Sequence, residues 1–257
     1  MKLVIAGLGY VGKAHHFWFS KKVEELVAAD PAINELNVAD VIEGADGLIC
    51  CVSTPEASDG SCNISNIESV INQTPSNVQI IIRSTISIEG WESLKKNYPN
   101  HKLTYCPEFL RAAKWESDFM INQQLWMGGE ARNIQFWHDV FIKVLEHLTV
   151  GVVDPKVLIA GKNFRNSFLA TKVAFFNQIY DYCQAKGIDY GQTAEMICVD
   201  PRIGGSHTAI TKERGFGGHC FPKDTQAIVK SAEKDSVELS IIKEAIAYNK
   251  LIRNSNT

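Results

Sequence analysis

Residues 2–12, KLVIAGLGYVG, decide the fold. Lys2 to Ala6 form a short apolar run of the kind that is buried in a parallel sheet. Gly7, Gly9 and Gly12 follow at GxGxxG spacing, and residues 10–21 read as a helix with aromatics on its inner side. The spacing alone is weak evidence, but a strand–turn–helix is the context it requires. In such a unit glycines allow a tight turn and close approach to a pyrophosphate, while the helix N-terminus offers amide donors. Gly7, Leu8, Gly9, Tyr10, Val11 and Gly12 are therefore candidate dinucleotide contacts. A second strand, ELVAAD, ends at Asp30. A carboxylate there suits a ribose hydroxyl and repels the 2′-phosphate of NADP, which favours NAD. Its other reading is as the start of an Asp30-Pro31 turn.

Three similar units lie further along. GLICCVSTP (47–55), VQIIIRSTIS (78–87) and KLTYCPEFL (102–110) are apolar runs that end in small polar groups. Ligands bind at the carboxyl ends of strands in open α/β sheets. Val52, Ser53, Thr54, Pro55, Ser84, Thr85 and Glu108 are site candidates by that position. Ordinary turn chemistry is the competing reading, since Ser, Thr and Pro are common in turns. Residues 123–153 supply a strand, a helix and a closing strand.

Beyond them the pattern changes. Asp154-Pro155 reads as an N-cap with proline at the first helical position. No proline follows until well past Gly187, which predicts a helix of about 48 Å at 1.5 Å per residue. It is apolar on several faces, so it should be buried or shared between subunits. Lys162 and Asn166 lie four apart on it and share a face. They read either as a polar pair needing partners or as a lysine reaching water near the helix start. A helix over 189–198, a Gly/Ser/Thr-rich loop, and helices over 223–233 and 235–253 complete the chain. The fold class expected is α/β: a Rossmann-like parallel-sheet domain (1–153), then a long central helix and a small all-helical domain (154–257).

GFGGHCFPKD, residues 215–224, carries the chemistry. It sets Cys220 in a glycine-rich loop with Lys223 and Asp224 directly after it. A thiol near a cation tends toward the reactive thiolate, and a carboxylate four residues on can place water or take a proton. The bland alternative is a small buried hydrophobe.

Composition limits the rest. The chain has 257 residues, 45% of them apolar and 21% charged, with a net charge of −3. No overall basic field invites nucleic acid. No apolar run reaches the roughly 18 residues of a membrane span. Seven cysteines without a CxxC pair, and a start with no cleavable leader, point to a reducing cytoplasm with thiols unpaired. No metal site is assigned.

Six ordered stretches together resemble the UDP-glucose/GDP-mannose dehydrogenase family: GLGYVG, CVSTP, RSTIS, CPEFLRAAKW, GKNFRNSFLATKVAFFNQI, and PRIG followed by GFGGHCFPKD. The resemblance runs through nearly the whole chain. It implies NAD as cofactor and a two-step oxidation of a nucleotide sugar's C6 alcohol to a uronate through a Cys220 thiohemiacetal and thioester. UDP-glucose is the expected substrate, with GDP-mannose or a UDP-N-acetylhexosamine as alternatives. By the same resemblance Lys162 and Asn166 serve the oxyanion, Asp224 and Glu108 the protons and water, and Thr85 the nicotinamide side. Lys223 lies near the cofactor, and Arg202 reaches a neighbouring subunit's substrate. Phe109, Leu110 and Arg111, with Gly215, Phe216 and Gly217, match substrate-binding stretches.

Three departures stand out. Ala112 replaces a second family glutamate. The stretch after Asp30 is short, which removes a family arginine. The usual C-terminal α/β domain is not represented, so a separate chain is a possible partner beside the expected homodimer through the helical part. Two other classes compete. A one-step β-hydroxyacid dehydrogenase shares the plan but needs no thiol. A non-catalytic NAD-binding regulatory protein would not need Cys220, Lys162, Asn166, Asp224 and Glu108 together.

Overall fold

The computed structural model describes residues 1–218 and 220–254. The chain divides into two compact units. The first is Met1–Ala57 with Cys62–Lys162, and the second is Ser58–Ser61 with the chain from Asn163 onward.

The first unit is an α/β layer structure. Its elements run β1 (Lys2–Ala6), α1 (Tyr10–Phe19), β2 (Glu25–Ala29), α2 (Val38–Val41), β3 (Gly47–Cys50), α3 (Ser65–Asn72) and β4 (Gln79–Ile82). They continue with α4 (Ile88–Asn97), β5 (Lys102–Tyr105), a 3₁₀ turn (Ala112–Lys114), α5 (Trp115–Ile121), β6 (Gln124–Gly129), α6 (Ala131–Phe141) and β7 (Thr149–Val152). The seven strands lie in the order β2-β1-β3-β4-β5-β6-β7. All neighbours are parallel except β5 and β6. The order reverses between β1 and β3, the crevice where open α/β sheets bind ligands.

Strand alternation explains the two cores. Val4, Ala6, Leu48, Cys50, Ile80 and Ile82 point to one face, and Leu3, Ile5, Ile49 and Ile81 to the other. Both faces are covered, so these strands are apolar at every position rather than at alternate ones. Each isoleucine so buried contributes roughly 1.5–3 kcal/mol relative to exposure.

The long helix α7 runs Pro155–Lys186. Asp154 Oδ1 accepts the Lys156 N–H at 2.7 Å, and Pro155 needs no amide partner at the first helical position. At the other end Gly187, at φ +66°, lets its N–H reach Gln184 O while the Ile188 N–H reaches Cys183 O. That pair of bonds is a Schellman ending. Leu158 and Ile159 on its first turns belong to the first unit's core.

In the second unit α8 (Tyr190–Cys198), α9 (Phe221–Lys234) and α10 (Ser240–Asn254) join the rest of α7. Ala170, Ala174, Phe216 and Ala245 form its small core.

Three helix limits differ from the sequence reading. α1 stops at Phe19, where the Lys22 N–H turns back to the Phe19 carbonyl. α9 begins at Phe221, because Pro222 is tolerated in a first turn. α10 begins at Ser240, since Ser236 at φ +59° breaks any continuation from α9. The inner side of α1 carries His15 and Phe19, both 0% exposed, while Phe17 faces outward.

His15 sits among the rings of Phe19, Phe119 and Phe141. Its Nδ1 pairs with the Val11 carbonyl at 2.8 Å. Burial, then the nearby Arg83 charge, push its pKa down to about 3, against a smaller opposing effect of the Val11 carbonyl. An unfolded histidine takes a proton near pH 6.5, so between those values the unfolded state binds more protons. The stabilisation is present above pH 6.5 and is lost as pH falls, by about 1.4 kcal/mol per unit. Urea titrations from pH 8 to pH 4 should show that slope, and His15→Leu should flatten it by one proton's worth.

Candidate active site

In the first unit the glycine turn follows β1. Gly7 holds φ +92°, and a Cβ there would lie 2.9 Å from the Cys51 carbonyl atoms. The turn after β1 is thereby pressed against the end of β3. A Cβ on Gly12 would lie 1.8 Å from Gly7 O, so α1 can pack on the turn only without one. At Gly9 a Cβ would meet nothing within 4 Å. Gly9 caps α1 with no side-chain bond, leaving the first-turn amides without a side-chain cap. Leu8 and Val11 flank these positions, with Leu8 packed on the core.

Asp30 starts the turn, one of its two sequence readings, and also braces the glycine turn. Oδ2 accepts the Leu8 N–H at 2.7 Å, and Oδ1 accepts the Ala32 N–H at 3.0 Å as the turn begins. A carboxylate has about four lone-pair sites, so this leaves capacity for a ribose hydroxyl.

The strand-end hydroxyls lace their own turns together. Thr54 Oγ1 donates to Thr85 O and Ser84 Oγ to Val52 O, each at 2.7 Å. Ser53 is exposed and accepts from Asn66 through both its carbonyl and hydroxyl. Pro55 O accepts the Asn63 N–H. Thr85 is half-buried and uses its carbonyl rather than its side chain in these bonds.

Glu108, 6% exposed, is the one buried acid among the described residues of this unit. Its Oε2 accepts the Leu110 N–H at 2.5 Å, and its Oε1 accepts the Tyr10 hydroxyl at 3.2 Å. Lys162 is 5% exposed rather than reaching for water. Its Nζ donates to Glu108 O at 2.6 Å and lies 3.8 Å from Oε1, over the Phe109 ring at 5.0 Å. Arg111 is taken up by Asp118 in a two-point pair at 2.8 and 2.6 Å. That pairing holds the Asp118 carboxyl down at about 2. Ala112 is exposed in the 3₁₀ turn.

The sequence reading missed Arg83. It is 4% exposed, donates to Cys106 O at 2.8 Å and to Cys106 Sγ at 2.6 Å, and lies over Phe141. It ties down the residue two before Glu108. The lone cation in the apolar run VQIIIRSTIS is the signal that was there to be used.

In the second unit Cys220 caps the start of α9. Asp224, 1% exposed, sits one turn later. Asn166 Nδ2 donates to its Oδ2 at 2.6 Å and Lys223 Nζ to its Oδ1 at 2.7 Å. Three of the expected site residues therefore meet at one carboxylate. Gly215, Phe216 and Gly217 lead into the thiol loop, and Phe216 is buried. Arg202 is exposed and forms a two-point pair with Asp200. Among the described residues no cluster of His, Cys, Asp and Glu suits a metal ion, and no helix is long and apolar enough to cross a membrane.

The reversed strand order and the glycine turn at the switch point define a dinucleotide-binding α/β fold. The open space at Gly9 and an α1 N-terminus without a side-chain cap fit an NAD pyrophosphate. Residues 32–148 match the NAD binding domain, and residues 160–251 the central domain, of the UDP-glucose/GDP-mannose dehydrogenase family. The chain belongs to that family, and NAD is its cofactor.

Similar proteins include the UDP-glucose 6-dehydrogenases of Campylobacter jejuni and Streptococcus pneumoniae. They are 26% and 27% identical over 98% and 97% of this chain, and 72% and 73% of their own lengths. A UDP-glucose dehydrogenase structure from Pyrobaculum islandicum superposes with a TM-score of 0.85 at 24% identity, over 97% of this chain and 68% of its own. A 3-hydroxyisobutyrate dehydrogenase from Mycobacterium tuberculosis gives 0.71 at 13%, over 97% and 93%. At those identities the structures speak for the fold.

The glycines make a separable test. Gly9→Ala should leave the melting temperature nearly unchanged, within the roughly 0.5 kcal/mol usual for open positions, yet weaken NAD at least tenfold. Gly12→Ala should lower both. Thermal melts paired with NAD calorimetry read the two effects, and equal NAD affinity in Gly9→Ala would rule out a pyrophosphate at that place.

Proposed function

We propose that this chain oxidises the C6 alcohol of a nucleotide sugar to a uronate, with UDP-glucose as substrate and Cys220 as covalent nucleophile. The observation that carries the reading is the arrangement around α9: a cysteine at its start and, one turn on, a buried carboxylate held by Asn166 and Lys223. A one-step dehydrogenase has no use for that arrangement. The names of the relatives aligned over nearly the whole chain support the sugar.

NAD, when bound, would supply the hydride acceptor that each of the two oxidations needs. The protein's residues account for the rest. Glu108 takes the hydroxyl proton as the alcohol becomes an aldehyde. The Cys220 sulfur bonds the aldehyde carbon, and its proton passes to the aldehyde oxygen, giving a thiohemiacetal. Loss of the second hydride and the hydroxyl proton gives a thioester. Water, placed by Asp224, adds to the thioester carbon; the C–S bond breaks, the sulfur regains a proton, and the carboxylate leaves. Lys162 and Asn166 donate to the oxygen as it gains charge. Each has N–H groups beyond the one already committed to Glu108 O or Asp224. The covalent sulfur keeps the aldehyde from leaving between oxidations.

Each uronate should therefore release two NADH and three protons. A panel of UDP-glucose, GDP-mannose and UDP-N-acetylhexosamines, followed at the NADH absorbance, tests this. One NADH per sugar, or NAD binding with no sugar oxidised, would overturn it. Cys220→Ser should stop steady uronate release, because an oxygen ester forms and hydrolyses less readily than a thioester. Unimpaired turnover in that variant would reject the covalent role.

We further propose a homodimer through the second unit. Phe168, Phe175, Ile241 and Leu251 are 68%, 56%, 77% and 64% exposed. Phe175 of α7 and Ile241 and Leu251 of α10 line one open groove with Ala174 and Ala245. Clustered apolar surface of this kind marks an association face. Sedimentation should give twice the 28.6 kDa chain mass, and Leu251→Glu should return the monomer. A wild-type monomer at micromolar concentration would dismiss the interface.

A further inference from the structure

We infer that Asn249 and Asn177 are positioning residues for the Cys220 loop, an amide clamp on residues 214–216. The inference rests on the proposed thiol chemistry and adds to it what sets the thiol's place.

Asn249 of α10 is 7% exposed. Its Oδ1 accepts the Phe216 N–H at 2.7 Å, and its Nδ2 donates to Phe216 O at 2.9 Å. One side chain thus satisfies both backbone groups of one loop residue, as a neighbouring strand would. Asn177 of α7 is 1% exposed. Its Oδ1 accepts the Gly215 N–H at 3.1 Å and Arg214 Nε at 2.8 Å. Its Nδ2 donates to Val173 O at 2.9 Å, which fixes the amide's orientation. Arg253, one turn beyond Asn249, donates to Arg214 O at 3.0 Å. Four main-chain groups of three consecutive residues outside any strand or helix are thereby met by side chains from two helices, while the Arg214 N–H turns back to Thr211 O. Buried main-chain groups require such partners.

Glycine at 215 is part of the device. It holds φ +56°, and a Cβ there would lie 2.1 Å from Asn249 Oδ1. A Cβ on Gly217 would lie 2.9 Å from the nearest nitrogen of the Arg253 guanidinium. Arg214 is held in turn by Asp181 at 2.6 Å and by the Tyr180 ring, and Tyr248 donates to the other oxygen of Asp181. Only residues 217–220 separate Phe216 from α9, whose Asp224 is anchored to Asn166. The clamp fixes the chain on the N-terminal side of the thiol, and the Asp224 pairing fixes the helix on its C-terminal side. A misplacement of about 1 Å at a reacting group can cost on the order of a hundredfold in rate.

The test uses the whole chain with Asn249→Ala, Asn249→Asp and Gly215→Ala. Asn249→Ala removes both bonds; Asn249→Asp keeps an acceptor for the Phe216 N–H. The readouts are kcat and KM for NAD and UDP-glucose, the iodoacetamide alkylation rate of Cys220 by peptide mass spectrometry with Cys198 as internal reference, and a thermal melt. Asn249→Ala and Gly215→Ala should lower kcat by about ten- to a hundredfold with KM for NAD within about twofold. The Cys220 alkylation rate should change at least threefold while that of Cys198 stays constant. Asn249→Asp should recover part of both. A folded Asn249→Ala or Gly215→Ala protein with wild-type kcat and wild-type Cys220 alkylation overturns the clamp; if one of them fails to fold, the other decides. The alkylation arm needs no sugar. If wild type oxidises no nucleotide sugar, the proposed function fails on that result and the clamp is still judged by the thiol's rate.

Discussion

A carboxylate shut away from water has to be paired, and Asp224 is the group on which the second unit turns. Leaving a charge buried and uncompensated costs several kcal/mol. Asp224 meets that demand with an amide from α7 and an ammonium from its own helix. The pairing therefore ties α9 to α7 at a defined register. Because Cys220 is the residue at which α9 starts, whatever fixes α9 also fixes the root of the thiol. A neutral residue at 224 would relax the desolvation problem and remove the reason for Asn166 to be where it is.

The first unit solves a different problem, that of bringing backbone close to backbone. The turn at Gly7 abuts the end of β3, and the hydroxyls of Thr54 and Ser84 cross-bond the ends of β3 and β4. Arg83 continues the same row of strand ends to Cys106. It has no carboxylate partner in the described hydrogen bonds; a carbonyl, a thiol and the Phe141 ring stand in for one. Glu108, two residues on, is thereby approached from three sides, by Tyr10, by its own turn and by Lys162. Its oxygens face donors rather than bulk water, a setting that suits the proton transfer given to it under the proposed function.

Range decides how much of this the sequence discloses. The Asp154-Pro155 start and the Gly187 stop act through neighbours within a few residues, and GLGYVG and Asp30 follow a spacing pattern although their contacts reach further, so all are legible one-dimensionally, and they imply the sheet with its long helix. The cysteine loop is legible because its residue types are improbable together. Asn177 and Asn249 were not legible, because an asparagine inside a helix announces nothing until its partner 38 or 33 residues away is known. Arg83 does stand out as a lone cation in an apolar run, but its partner Cys106, 23 residues away, is disclosed only by the fold. The late start of α10 also escaped, since an alternative local turn at 235–239 leaves no proline or glycine to mark it. Thr54 and Ser84 show the opposite limit: their positions were legible, but their side chains serve the architecture as well as the crevice.

The glycines sort by what surrounds them, and the sorting separates architecture from ligand. Gly12 has no room for a Cβ beside the Gly7 carbonyl, and Gly7 and Gly215 have neither the room nor an ordinary φ. Those three are explained by the protein alone, whereas a Cβ on Gly217 would meet only the mobile end of the Arg253 side chain. Gly9 has an ordinary backbone and open space. Glycine is preferred to alanine at an N-cap, so the chain accounts for the residue type at Gly9 but not for the open space beside it. That space is accounted for once something outside the chain occupies it, and under the proposed function the occupant is the cofactor's pyrophosphate.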